Sequence, residues 1–233
     1  MNNLICSEQD VNQFFSEISF GNVLAFDYNH YPFTILDLSR NNQSLNQINL
    51  SNASEFSEYI SQILEETGAR FAIGRYNEDR QIYDHSQLFS GTTRRTIHLG
   101  VDLFVDSQTE VLAPLGGIVH SFQNNDLDGD YGPTIILEHF ANGRRFYTLY
   151  GHLTEDSLEG LRIGMPILQG QVIGCVGDYP SNGNWPAHLH LQLITDMQGL
   201  AGDYPGVCNQ EKRAEFLGLC PNPNLILQIN GLN

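Results

Sequence analysis

The sequence predicts a mainly β protein, an antiparallel β-sandwich or open barrel, preceded by a small N-terminal α+β unit. Two observations carry this expectation. From residue 97 onward, short extended runs at 98–104, 110–113, 117–122, 134–139, 145–150, 171–176 and 188–195 are separated by Gly, Pro, Asn and Asp, with no long helical pattern between them. Before about residue 90, apolar residues instead recur at helical spacing between short extended runs. The expected organisation is an α+β unit over 1–90, a β domain over 91–202, and a C-terminal helix and tail over 203–233 packed on that domain. The polar stretch 86–95 serves as the linker.

Within the first unit, Val11, Phe14, Phe15 and Ile18 form the apolar side of a helix, and 33–38 reads as a strand. Residues 40–49, rich in Asn and Gln, read as a surface loop. A second helix is better marked: Asn52 or Ser54 caps it, Phe56, Tyr59, Ile60, Ile63 and Leu64 make its apolar face, and Gly68 ends it. A strand at 70–75 follows. Beyond the β region, 210–219 reads as a helix stopped by the Pro-Asn-Pro-Asn run at 221–224.

At 233 residues with 41% apolar content the chain is long enough for an ordinary globular core. Its formal charge of -16 repels phosphate polyanions, which argues against nucleic-acid partners and anionic membrane surfaces, and makes an anionic cell-wall polymer a poor electrostatic match. The N-terminal residues lack the basic start and the long apolar run of a secretory signal, and no apolar run is long enough to cross a bilayer. The expectation is a cytoplasmic protein, with export or cell-wall association as the alternative. Cys6, Cys175, Cys208 and Cys220 show no CxxC pairing, so they read as reduced, mostly buried thiols. A Cys208–Cys220 crosslink is the competing reading, since only that pair is close in sequence.

Chemistry is concentrated in three short motifs: His98-Leu-Gly-Val-Asp102, Gly151-His152-Leu153 and His188-Leu-His190. Side chains alternate along a strand, so His188 and His190 share one face, as do His98 and Asp102, while Leu99, Leu189 and Leu191 point into the opposite layer. Two imidazoles and one carboxylate are a set that suits catalytic zinc, which keeps a further position for water. Taken singly, a His-x-His pair or a His-x-x-x-Asp run is more often a satisfied or exposed polar feature than a ligand set. The surroundings change that balance.

The run 97–194 resembles the lysostaphin-like (LytM-type) zinc endopeptidase family along its whole length. The matching elements occur in the family's order: His98-Leu-Gly-Val-Asp102, the run 111–119, Tyr131-Gly132, the run 135–139, Tyr150-Gly-His-Leu153, the run 164–170, Ile173-Gly174 and His188-Leu-His190. The resemblance implies a small antiparallel β-fold of the duplicated hybrid type with an open groove and one zinc ion. It implies His98, Asp102 and His190 as metal ligands, and His152 and His188 as histidines that flank the catalytic water and assist proton transfer. A peptide or peptidoglycan-derived substrate is the family default. His139 and His120 read as structural, and His30 and His85 as exposed.

Other features depart from the family pattern. The approach to the His-x-His pair is longer, running from Asp178 to Ala187, and carries the single tryptophan. Trp185 is either a substrate-stacking residue or a groove wall. The acidic loop 124–130 has alternating oxygen ligands of the kind calcium uses, but lacks an EF-hand completion and reads as a solvated turn. Together with the first unit, the run 74–80 (Gly-Arg-Tyr-Asn-Glu-Asp-Arg) and the run Cys220 to Asn224 are similar to the member of this family found fused to aminotransferases in large cytosolic proteins. That subgroup implies a functional link to aminotransferase-type proteins. Some relatives of the family hold an upstream asparagine on the metal. Asn77 is the candidate here, although a surface turn explains it equally.

The leading expectation is therefore a zinc-dependent amide hydrolase. Two others stand beside it: a cytosolic hydrolase of a short peptide or amino-containing metabolite, and a binding or scaffold module that keeps the fold without turnover.

Overall fold

A computed structural model describes residues 8–85 and 94–232. The chain runs through α1 (Glu8–Ser16), β1 (Phe33–Leu36), α2 (Ala53–Thr67), β2 (Phe71–Gly74), β3 (Ile97–His98), β4 (Val101–Phe104), β5 (Glu110–Leu112) and β6 (Gly117–Asn125). It continues through β7 (Gly132–Ala141), β8 (Arg144–Gly151), β9 (Pro166–Ile167), β10 (Val172–Cys175), β11 (Leu189–Ile194), β12 (Val207–Cys208), α3 (Arg213–Leu219) and α4 (Asn224–Leu227). The expected mainly β class is observed. Most of the expected linker and the first seven residues, Cys6 included, lie outside the described residues.

One eight-stranded sheet in the order β1-β2-β4-β11-β8-β7-β6-β9 organises the molecule, with two smaller pairs, β10 with β5 and β12 with β3. Its pairings are antiparallel except that of β1 with β2, which are parallel. The parallel pair has a physical origin, because α2 lies between the two strands in sequence and supplies the crossover that parallel neighbours require. β2 then pairs with β4, so the α+β unit extends the main sheet.

Local chemistry explains α2. Asn52 is its cap, accepting from the backbone of Ser54 and Glu55, and Gly68 closes it with φ +65°. Its Phe56 and Ile60 are buried beneath Leu36, Leu38 and Phe104. α1 packs through Phe14 and Phe15, whose rings meet Phe146 edge-on at 6.0 and 5.1 Å. The main core lies on the face of the sheet that carries Leu189, Leu191 and Leu193 of β11.

Two expectations need correction. Residues 40–49 are not simply a surface loop: Gln43–Gln47 form a 3-10 helix that buries Leu45, and Asn42 caps it through Ser44 N–H. One apolar residue among polar ones was enough to anchor the segment. The single strand expected over 98–104 is broken between β3 and β4. β3 pairs with β12 while β4 pairs with β11, so the alternation of faces does not carry through Leu99-Gly100. In consequence Leu99 packs with Ile97, Ile136 and Leu149, away from the cluster that holds Leu189 and Leu191.

Cys175, Cys208 and Cys220 are free, so the structure holds no Cys208–Cys220 crosslink. Burial pushes the Cys208 and Cys220 thiols up to about 11 and 12, which keeps them protonated. Among the described residues no helix is long and apolar enough to cross a membrane.

Candidate metal centre

The sheet register places the site. His190 of β11 lies directly opposite Asp102 of β4 on one side and opposite Gly151 of β8 on the other, with His152 the next residue. His98 arrives from β3, after which the backbone turns at Leu99-Gly100. Gly100 permits the approach: a Cβ there would run into the His190 ring, 2.6 Å from its Nε2. Five side chains sequence reasoning had singled out, His98, Asp102, His152, His188 and His190, thus line one pocket, each 5% exposed or less.

Three of them converge most tightly. His98 Nε2 lies 3.0 Å from His190 Nδ1 and 3.2 Å from Asp102 Oδ1, and His190 Nδ1 lies 3.0 Å from the same oxygen. The outer nitrogens face acceptors, which assigns the ring hydrogens outward. His98 Nδ1–H donates to the Arg75 carbonyl (2.9 Å), and His190 Nε2–H donates to Gln192 Oε1 (3.1 Å). The inner nitrogens are then bare lone pairs, facing each other and a carboxylate oxygen. Burial, aided by the Arg80 cation, holds His98 near 4, so its ring is neutral.

Such a cluster of acceptors lacks a donor at its centre and calls for a cation. Tetrahedral zinc with nitrogen and oxygen ligands at its usual bond lengths separates neighbouring ligand atoms by about 3.3 Å. The observed 3.0–3.2 Å is close to that value. Among the described residues, this trio is the group of His, Cys, Asp and Glu side chains able to hold a metal ion. The donor set therefore fits zinc.

His152 and His188 stand beside the trio with ring centroids 4.2 Å apart. His152 Nδ1–H donates to the Asn182 carbonyl (2.8 Å) and His188 Nδ1–H to the Pro186 carbonyl (2.7 Å), which leaves both Nε2 atoms as acceptors. Burial lowers both groups; at His152 the neighbouring His188 adds to the effect. His152 takes a left-handed backbone, φ +61°, a conformation that costs free energy in a residue with a side chain. His188 stacks on Phe104 at 4.8 Å.

Trp185 borders the same pocket, its indole N–H bonded to the Asp130 carbonyl (3.2 Å) and its ring edge-on to Tyr83, His152 and His188. The acidic loop is tied into the fold: Asp128 accepts from Asn184 and Asp130 from Tyr131 N–H. Asn77 does not turn toward the trio, because its Oδ1 accepts from Arg213 Nε (2.8 Å) in the C-terminal segment. His139, bonded to the Gly116 carbonyl and Thr148, sits away from the pocket.

Two contributors escaped sequence reasoning. Gln192 follows His190 with strand parity, and its amide nitrogen donates to the Pro205 carbonyl (3.1 Å), which turns the oxygen toward His190. The parity was a usable signal. Arg80, 2% exposed, donates to Asp102 Oδ2 at 2.6 Å. Nothing local distinguishes it from a surface arginine. Burial opposes ionisation of Asp102, but the charges around it, the Arg80 guanidinium among them, outweigh it and hold the carboxyl well below the usual range.

Residues 96–201 match the family model described as peptidase family M23. None of the curated proteins searched matches the chain. Among solved structures, the chain is similar to a Pseudomonas aeruginosa protein assigned to peptidase M23, with 20% identity over 56% of this chain and 43% of that one, TM-score 0.38. It is similar to a zinc-containing peptidase from Vibrio cholerae, with 23% identity over 44% of this chain and 28% of that one, TM-score 0.35. The catalytic domain of the antimicrobial peptidase lysostaphin from Staphylococcus simulans gives 22% identity over 52% and 80%, TM-score 0.36. The chain spans less than half the length of the first two.

Proposed function

Residues 96–201 belong to peptidase family M23, and on that premise we propose that the protein is a zinc-dependent metallopeptidase that hydrolyses an amide bond, with cross-bridge or stem peptides of peptidoglycan as its substrate class. The observation that carries this reading is the donor-free cluster of His98 Nε2, His190 Nδ1 and Asp102 Oδ1. These three atoms would hold the ion. Zinc, when bound, supplies Lewis acidity toward a carbonyl and brings the pKa of water down to about 7.

The remaining chemistry falls to His152 and His188. Each has its Nδ1–H committed to a backbone carbonyl, so each offers Nε2 as the proton-accepting atom. Burial keeps both rings neutral, the state a general base requires. One Nε2 takes the proton of the attacking water and returns it to the leaving nitrogen. The other Nε2, equally bare, can accept a hydrogen bond from the attacking water and orient it toward the carbonyl. Trp185, fixed by its indole bond to Asp130, would form the wall against which substrate lies.

A second reading, a hydrolase of a short peptide or amino-containing metabolite, is favoured by burial of all five site side chains and by the charge of -16. A long anionic polymer suits neither feature. Zinc analysis of the purified protein, followed by turnover of intact sacculi, soluble muropeptides and dipeptides, tests both. Protein that takes up no metal and cleaves none of the three would overturn the proposed function, while turnover confined to small peptides would select the second reading.

A further inference from the structure

Arg80 has no part in the chemistry above, yet it is among the most deeply buried large side chains of the protein. A buried guanidinium is costly unless its hydrogens are matched by acceptors. Here Nε donates to Glu78 Oε2 (3.0 Å), Nη1 to Asp102 Oδ2 (2.6 Å) and the Tyr83 hydroxyl (3.2 Å), and Nη2 to the Arg75 carbonyl (3.2 Å). Room for it is made by Gly74, where a Cβ would stand 2.7 Å from Nη2 and 3.2 Å from Asp102 Oδ2.

Two of the three candidate ligands are thereby oriented from one short segment. The Arg75 carbonyl that accepts from Arg80 also accepts His98 Nδ1–H, and the Arg80 fork takes one oxygen of Asp102. The other oxygen, Oδ1, is the one that faces His98 Nε2 and His190 Nδ1. A carboxylate with both oxygens free can chelate an ion, which fills a further coordination position; with Oδ2 held, it can offer only one atom.

We propose that Arg80 is a positioning residue that reserves Asp102 for one-oxygen coordination. The inference rests on the metal-site reading above and extends it. It also makes the segment 74–80, which precedes the family match, a working part of the metal centre. Arginine is required rather than lysine, because one planar fork must serve Glu78 and Asp102 together.

The test uses the full-length protein, with cobalt(II) as a spectroscopic probe of coordination number and zinc affinity measured by chelator competition. Two variants are compared with wild type: Arg80→Lys, which keeps the buried charge, and Arg80→Met combined with Glu78→Gln, which removes the cation and a partner charge together. Thermal melting identifies which variants are folded. Wild type should show the intense visible bands of four-coordinate cobalt. Both variants should show weaker bands of higher coordination and bind zinc about 10–100-fold less tightly.

A folded variant with the wild-type spectrum and wild-type affinity overturns the role of Arg80 and leaves the metal site standing. Wild-type protein that binds neither cobalt nor zinc is a different failure, since it removes the metal-site reading and the present inference with it.

Discussion

His98 Nε2 and His190 Nδ1 face each other at 3.0 Å, and the other nitrogen of each ring lies against an acceptor on the far side, the Arg75 carbonyl and Gln192 Oε1. Two lone pairs at that distance repel unless a cation lies near both. That relationship is the basis of the first two expectations.

Purified protein should bind about one zinc per chain, and His190→Ala or His98→Ala should abolish stoichiometric binding while the fold persists. Elemental analysis with circular dichroism on the same samples checks this. Full zinc occupancy in His190→Ala would place the metal elsewhere.

Gly100→Ala should be nearly as damaging as removing a ligand. The new methyl would occupy the space of the His190 ring, which cannot retreat because Leu189 and Leu191 on either side are locked in the core. Zinc titration should show an affinity loss of about 100-fold or more, a magnitude in keeping with displacement of a ligand rather than of its support. Unchanged affinity would mean that the ring has another position available.

His152→Ala and His188→Ala should separate binding from turnover. Neither atom set belongs to the converging trio, so zinc should be retained, while kcat should fall by about 10²–10⁴. Loss of metal in either variant would reassign that histidine as a ligand.

Acid should destabilise the protein in a defined window, partly through His139. Burial holds this imidazole near pH 4 in the fold, against an ordinary value of 6.5. The unfolded chain therefore binds the proton first. Its contribution is intact above pH 6.5 and is lost as pH falls toward 4, by a few kcal/mol at most. In urea titrations, His139→Gln should lose less stability than wild type between pH 7 and pH 4.5. Equal losses would exclude the group as a source of acid sensitivity.

Much of the fold was legible because it is written at short range. Asn52, the apolar face from Phe56 to Leu64 and Gly68 specify α2 within one stretch of chain, and strand runs separated by Gly and Pro mark β6 to β8. The break at Leu99-Gly100 was not legible, since the run on either side keeps a strand-like composition. What divides it is the choice of partner, β12 before the break and β11 after it. Leu45 inside a polar segment was missed for a similar reason: a single apolar residue has no periodicity to betray it.

The sequence by itself determined which residue types stand at His98, Asp102, His152, His188 and His190, the order of motifs around them, and the period-2 spacing that sets His188 and His190 on one face. Only the tertiary structure decided how those residues meet: which ring nitrogen of each histidine faces inward, which oxygen of Asp102 is free, and that Arg80 and Gln192 belong to the site. These are set by contacts between positions up to 92 apart, made at distances of about 3 Å and away from water. Local patterning fixes the direction of a side chain relative to its own strand. The partner that a buried polar atom finds, and hence its protonation and chemistry, depends on what the rest of the chain brings to the same few ångströms.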